Sequence, residues 1–260
     1  MKVGTWNVNS VKVRLPDLLG WLDAAAPDIV LLQETKCQDA DFPHAALAGH
    51  GYTAAVHGQK AYNGVAILAR SGRMLSDVRA GLPGDESDAQ ARWIEATVDG
   101  GLRVASLYLP NGNPAPGEKF DYKLDWMRRL IAHARTLLDG ETPLVLGGDF
   151  NVCPTDADVY DPAGWAEDAL CRPESRARLR ELVYLGFTDA YRALHGDAPR
   201  AYTFWDYQGG AWPRDLGLRI DLLLLSPRAA DRLASCEIDR APRGSDHPSD
   251  HTPVWCDLEI

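Results

Sequence analysis

The sequence predicts a four-layer α/β sandwich, two β-sheets packed face to face with helices on their outer surfaces. Three observations lead there. The chain opens on a strand, helix, strand unit. Apolar runs of strand length recur along it and are hydrophobic enough to be covered on one face by helices. No Gly-rich phosphate loop follows the first strand, which argues against a doubly wound sheet.

The elements follow in order. Residues 2–7 alternate and stop in the turn-like Asn7-Val-Asn-Ser10, a short strand with polar side chains at its C-terminal end. Leu15, Leu18, Leu19 and Leu22 fall at helical spacing, with Pro16 near the start, and Ala24-Ala-Ala-Pro-Asp28 closes that helix. The run Ile29-Val-Leu-Leu32 is the second strand, and Gln33-Glu34-Thr35 stands at its end. Residues 64–68, 93–97 and 102–109 read as further strands. Between 120 and 138, Leu124, Met127, Leu130, Ile131, Leu137 and Leu138 describe a long amphipathic helix leading into a buried strand over 144–147. A helix over 176–184 and strands over 222–225 and 253–258 complete the chain. The Gly- and Pro-rich stretches 110–117 and 240–245 are surface or active-site loops.

A chain of 260 residues with 45% hydrophobic content buries a sizeable core, and with no low-complexity linker residues 1–260 are expected to form a single domain. No apolar h-region follows Lys2, and no apolar run approaches the ~20 residues of a spanning helix, so neither a secretory signal nor a membrane anchor is expected. Five scattered cysteines without a C-x-x-C pair suggest no disulfide framework or zinc site and point to a reducing cytoplasm. The net charge of −10 opposes a polyanionic partner on average. A nucleic-acid site needs only local positive potential, however, and part of the acidic excess suits metal ligands.

Carboxylates, amides and one histidine recur where the apolar runs stop: Asn7 and Asn9, Glu34, Tyr108 with Asn111, Asp149 with Asn151, and Asp250 with His251. Asp221 stands where a strand begins. Each alone reads as a turn former or a surface hydrogen bond. Gathered at one edge of a sandwich, they would supply hard oxygen ligands, an imidazole and a phenol, the inventory of a magnesium phosphodiesterase. There is no G-x-S-x-G elbow, H-E-x-x-H or Walker lysine loop to support another chemistry.

Six blocks, Thr5-Trp-Asn-Val-Asn9, Leu32-Gln-Glu-Thr-Lys36, Tyr108-Leu-Pro-Asn111, Gly148-Asp-Phe-Asn151, Leu218-Arg-Ile-Asp221 and Ser249-Asp-His251, occur in the order and spacing of a known family. Across essentially the whole chain the sequence resembles the exonuclease III family of abasic-site endonucleases, within the endonuclease/exonuclease/phosphatase superfamily and its deoxyribonuclease I-like fold. That resemblance implies Glu34 as the principal ligand of Mg²⁺ (or Mn²⁺), with Asn7 and Asp250 nearby. It implies Asp149 positioning or deprotonating the attacking water, Asn151 orienting it, and both bordering the metal with His251. His251 would hydrogen-bond the scissile phosphate, Asp221 would fix its tautomer, and Tyr108 and Asn111 would donate to phosphate oxygens.

The implied substrate is double-stranded DNA with abasic or blocked 3′ ends, cleaved to a 3′-hydroxyl by a cytoplasmic monomer. Two departures from the family pattern stand out. Asn9 occupies a position that varies between Asp and Asn, which favours a single metal, and Leu218 stands where some relatives have Trp. The implied sugar pocket is then walled by Phe204, Trp205, Leu218 and Ile220 and excludes a normal nucleotide. Backbone contacts are sought among Lys60, Arg70, Arg73, Arg92, Lys119, Lys123 and Arg219. Two other readings remain at this stage: a superfamily phosphatase acting on a small phosphorylated headgroup, and a non-catalytic DNA-damage binder. The balance of abasic incision, exonuclease, 3′-phosphatase and RNase H-type activities is open.

Overall fold

The computed structural model describes residues 1–260 and contains two six-stranded sheets. In the first sheet, β1 (Lys2–Asn7) and β2 (Ile29–Gln33) pair in parallel at the centre, joined over the outside by α1 (Leu15–Ala25). Its remaining strands are β3 (Tyr52–His57), β4 (Val65–Arg70), β11 (Leu233–Ile238) and β12 (Val254–Leu258), in the order β11-β12-β1-β2-β4-β3. The second sheet repeats this plan. Its central parallel pair, β7 (Leu102–Tyr108) and β8 (Leu144–Asp149), is joined by α3 (Glu118–Asp139), a helix of 22 residues. With β5 (Leu75–Ala80), β6 (Trp93–Val98), β9 (Thr188–Asp189) and β10 (Asp221–Leu225), the order is β5-β6-β7-β8-β10-β9.

Strand alternation explains the layering, because period 2 sends one set of side chains inward and the other outward. Inward-facing Val3, Ile29, Leu31, Val65 and Ile67 meet Ile94, Val104, Val145 and Leu223 in the core between the sheets. Outward-facing Trp6, Val30 and Leu32 pack on Leu18, Trp21 and Leu22 of α1, with Leu47 of α2 (His44–Gly49) beside them. On the far side Trp126, Met127, Leu130 and Ile131 of α3, with Leu179 and Leu182 of α4 (Pro173–Val183), cover Leu146, Leu222 and Leu224. Each such buried side chain contributes about 1.5–3 kcal/mol. A polar seam also crosses the sheet interface: Gln33 Nε2 donates to Ser106 Oγ at 3.0 Å, and Ser106 Oγ donates to the Leu32 carbonyl at 2.8 Å.

The predicted sandwich is the one observed, with shifted boundaries. Asp149 and Asp221 are the terminal residues of β8 and β10, inside the strands. Gly64 lies just outside β4 with φ +91°, and a Cβ there would fall 2.1 Å from Thr35 Oγ1. Strands β3, β5, β9 and β11 and the short helices α2, α5 (Ala190–His195) and α6 (Pro227–Ala230) are additions to the sequence expectation.

Candidate active site

Register brings the strand-end residues together. In the second sheet Tyr108 of β7 and Asp221 of β10 are both Cα partners of Asp149 on β8, so three polar side chains sit abreast at one edge. In the first sheet Asn7 pairs with Gln33, and the chain then turns at Glu34 with φ 50°. Asn151, two residues beyond the end of β8, also has φ 47°. Left-handed backbone at a non-glycine residue costs roughly 1–2 kcal/mol, and here it turns each chain sharply at the sheet edge. Gly148 is required for a different reason: a Cβ there would come within 1.9 Å of the Leu107 carbonyl oxygen.

The two groups of residues face each other across one mouth. Ligand atoms of Glu34, Asp149 and His251 all lie within 4.8 Å of one another. Asn7 Nδ2 donates to Glu34 Oε1 at 2.8 Å and to Asp149 Oδ2 at 3.0 Å, touching one carboxylate from each sheet. The main-chain N–H of Asn151 donates to Asp149 Oδ1 at 2.8 Å. His251 Nδ1 lies 2.8 Å from Asp221 Oδ2, and its Nε2 lies 3.8 Å from Asp149 Oδ2. Asp221 thus holds the imidazole with Nδ1 as donor and Nε2 turned to the mouth.

Electrostatics follow from burial and neighbours. Burial raises the Asp149 carboxyl to about 7, with Asp221 and Glu34 adding to the rise and His251 opposing it. Burial alone would lower His251, but Asp221 and Asp149 prevail and raise it to about 10. Glu34 goes the other way. Burial opposes its charge, yet Lys36 and Asn7 pull it below the usual carboxylate range. The Tyr108 phenol is held protonated, well above its ordinary range, by burial and by the charges of Glu34 and Asp149. Arg92 lies over its ring at 4.7 Å from the centroid.

The donor set fits a hard divalent cation: the carboxylates of Glu34 and Asp149, from opposite sheets, converge beside the His251 imidazole, which borders the group as a hydrogen-bond donor. Asn7 turns its amide nitrogen toward those carboxylates, while its oxygen accepts the Asn9 N–H at 3.0 Å. Asp250 lies at the rim with Oδ1 2.9 Å from Asn9 Nδ2, and so faces Asn9 instead of the Glu34 group. Asn111 Nδ2 donates to Asn151 Oδ1 at 3.2 Å, and Asn151 Nδ2 donates to the Leu109 carbonyl at 2.9 Å.

Other expected contacts are corrected. Arg219 is buried, with Nε 2.6 Å from Asp158 Oδ1 and Nη1 2.8 Å from Asp189 Oδ2, so it is an internal strut and not a phosphate contact. Lys123 is also buried, its ammonium donating to the carbonyls of Asn111, Asn151 and Ala169, which ties three loops behind the site. Arg73 is taken up by Asp28 and Asp99. Lys60, Arg70 and Lys119 remain exposed.

In the expected sugar pocket, Phe204 and Leu218 line an open cavity beside the mouth. Trp205 is fully buried against Tyr202 and Trp212, with Nε1 donating to Asp215 at 3.1 Å. Ile220 packs into a small core with Cys153, Val159, Leu170 and Cys171. Neither walls the pocket.

Three residues near the mouth were given no role from sequence, although Lys36 and Ser249 stand inside two of the motif blocks. Lys36 Nζ sits 2.8 Å from Glu34 Oε2, and its position two residues after Glu34 was the available signal. Ser249 Oγ donates to the Asn7 carbonyl at 2.7 Å, joining the His251 loop to β1. Tyr207 OH accepts from Arg14 Nη2 at 2.8 Å, a long-range contact with no local sequence signal.

Comparison with known proteins agrees with this geometry. The profile of the Endonuclease/Exonuclease/phosphatase family matches residues 4–251. The chain is 32% identical over 269 residues to exodeoxyribonuclease III of Haemophilus influenzae, covering 100% of both. It superposes on the 3′ phosphatase NExo from Neisseria, solved with a product DNA hairpin, with TM-score 0.96, 42% identity and full coverage of both chains. An AP endonuclease from Archaeoglobus fulgidus gives TM-score 0.95 and 36% identity, again over the whole of both chains. On sequence, topology and site geometry together, the chain belongs to the endonuclease/exonuclease/phosphatase family, in its exonuclease III branch of nucleases.

Proposed function

We propose that this protein is a Mg²⁺-dependent DNA phosphodiesterase that incises abasic sites and clears blocked 3′ ends, working as a cytoplasmic monomer. The observation carrying this is the meeting of Glu34, Asp149 and the His251–Asp221 couple at one mouth. The names of its relatives support the substrate class. The pairing of β1 with β12 supports one domain over 1–260, since the two ends of the chain share a sheet. No helix is long and apolar enough to cross a membrane. Abasic incision, 3′-phosphate removal and 3′ to 5′ exonuclease action share one chemical event, cleavage between phosphorus and the 3′ oxygen, and each leaves a 3′-hydroxyl.

When bound, the divalent cation would supply Lewis-acid stabilisation of phosphate charge; Glu34 and Asp149 are the carboxylates that would hold it, with His251 bordering them as a hydrogen-bond donor. The chain's own groups do the rest. Asp149, anchored through Oδ1 by the main-chain N–H of Asn151, orients the attacking water and takes its proton. His251, charged and steadied by Asp221, donates from Nε2 to a non-bridging oxygen. The protonated Tyr108 phenol and the Asn111 amide donate to oxygens that gain charge as the bond breaks. Preoriented donors of this kind stabilise the transition state more than the ground state.

A labelled duplex carrying one abasic analogue tests this, run beside an undamaged duplex and a 3′-phosphate end, with Mg²⁺, with Mn²⁺ and with a chelator. Incision and 3′-phosphate release that vanish with chelator and return with Mg²⁺ are expected. Hydrolysis of an inositol phosphate with both DNA substrates untouched would contradict the proposal.

A further inference from the structure

Lys123 is a buried cation to which the chemistry above gives no part. It lies on the covered face of α3 beside Phe120, Trp126 and Met127, with no exposed surface. An apolar side chain would serve packing alone at that place, because an ammonium withdrawn from water is costly unless its hydrogen bonds are made. Its partners are three main-chain carbonyls: Nζ lies 2.9 Å from Asn111 O, 2.6 Å from Asn151 O and 3.1 Å from Ala169 O. Three acceptors match the three protons of the ammonium form. Burial pulls the pKa of Lys123 down to about 7, and Asp149 and Asp168 oppose that fall. Gly112, with φ +90°, leaves room for the stem, since a Cβ there would fall 2.6 Å from Lys123 Cδ.

Two of the three carbonyls belong to residues of the reaction centre. The side chains of Asn111 and Asn151 hydrogen-bond to each other at 3.2 Å, and one ammonium grips both main chains from behind. Neither carbonyl has another donor in the protein. Asn151 also turns in the left-handed region, at φ 47°, while its N–H anchors Asp149 Oδ1. The loops themselves have other ties. Asn113 Nδ2 donates to both carboxylate oxygens of Asp168 at 3.1 Å, and the Cys153 N–H donates to the Leu170 carbonyl at 2.9 Å. The ammonium is therefore not what closes the loops; it adds the placement of two asparagines. We propose that Lys123 is a positioning residue for phosphodiester cleavage, setting Asn111 toward the phosphate and, through Asn151, Asp149 toward the attacking water. This role rests on the proposed DNA phosphodiesterase activity.

The test measures kcat and KM for Mg²⁺-dependent cleavage of the abasic duplex by Lys123→Met, Asn151→Ala and the double variant, with rates corrected for the folded fraction seen by circular dichroism. Lys123→Met keeps an unbranched stem and removes all three donors. Its kcat is expected to fall about 10²-fold with KM little changed, the scale of a reacting group displaced by an ångström. The double variant should lose far less than the product of the two single losses, because Lys123 acts through Asn151. Ser175→Ala, which removes a hydrogen bond to the same Ala169 carbonyl, should keep the native kcat. Should Lys123→Met not fold, Gly112→Ala pushes the same stem aside with its ammonium retained, and the same fall and the same cycle with Asn151→Ala are expected. If the native protein cleaves neither the abasic nor the 3′-phosphate duplex, the DNA reading itself fails. If folded Lys123→Met keeps the native kcat, if its loss multiplies fully with that of Asn151→Ala, or if Ser175→Ala falls as far, the positioning role alone is overturned.

Discussion

The two sheets share one plan and do different work. Each has a central parallel pair bridged by a helix, flanked on both sides by antiparallel strands. Their equivalent edges are chemically unlike. The first sheet brings Asn7, Glu34 and, from the segment before β12, His251. The second brings Tyr108, Asp149 and Asp221, aligned on three adjacent strands. Each half is therefore incomplete: the histidine lies on one side and the carboxylate that orients it on the other, 2.8 Å away. Asn7 crosses the same divide with its two hydrogen bonds. The lesson is that stacking the sheets assembles the site, so the packed core between them is a condition of catalysis.

The largest expected effect comes from removing one carboxylate of either half. Glu34→Ala and Asp149→Asn should each lower kcat by about 10³-fold, the upper scale for losing one preorganised charge partner, with circular dichroism melting showing an intact fold. Asp221→Asn should come next. It keeps the shape but no longer fixes the imidazole tautomer, and a loss of about 10²-fold in kcat is expected from steady-state rates. Asn7→Ala should cost about tenfold, since it removes a hydrogen bond to each carboxylate and leaves the rest of the chemistry in place.

Asp158→Asn should change turnover least and stability most. Its buried carboxylate meets Arg192 and Arg219, so losing it should cost about 3 kcal/mol. Burial opposes the charge of Asp158, but the arginines hold its pKa below the usual carboxylate value. A lowered folded pKa adds stability that is complete above the unfolded value of about 4 and disappears as pH falls through the folded one. The native protein's melting advantage over Asp158→Asn should therefore persist at pH 7 and shrink below pH 4.

How far the sequence could be read also divides along structural lines. The central strands β1, β2, β7, β8 and β10 were legible because both of their faces are buried, leaving apolar runs such as Ile29 to Leu32. The four strands that were missed, β3, β5, β9 and β11, are the outer edges of the two sheets. In β5, five of six residues are exposed, so no periodic apolar signal marks it. The site was legible for the same reason as the centre: polar residues stand out where buried runs end. Arg219 and Lys123 were misjudged because charge in a sequence suggests solvent, while their partners Asp158 and Asp189, or the carbonyls around Lys123, come from distant segments. Trp205 stands next to the pocket residue Phe204 in the chain, but adjacent residues of an extended segment point to opposite sides, while Ile220, two residues beyond Leu218, lies deeper in the small core the two share.

A double-mutant cycle on kcat, pairing Glu34→Ala of the first sheet with Asp149→Asn of the second, tests most directly whether the halves form one reaction centre. Groups acting as one unit give a double variant no slower than the slower single one. A double variant whose loss equals the product of the two single losses would show two independent contributions and contradict this account.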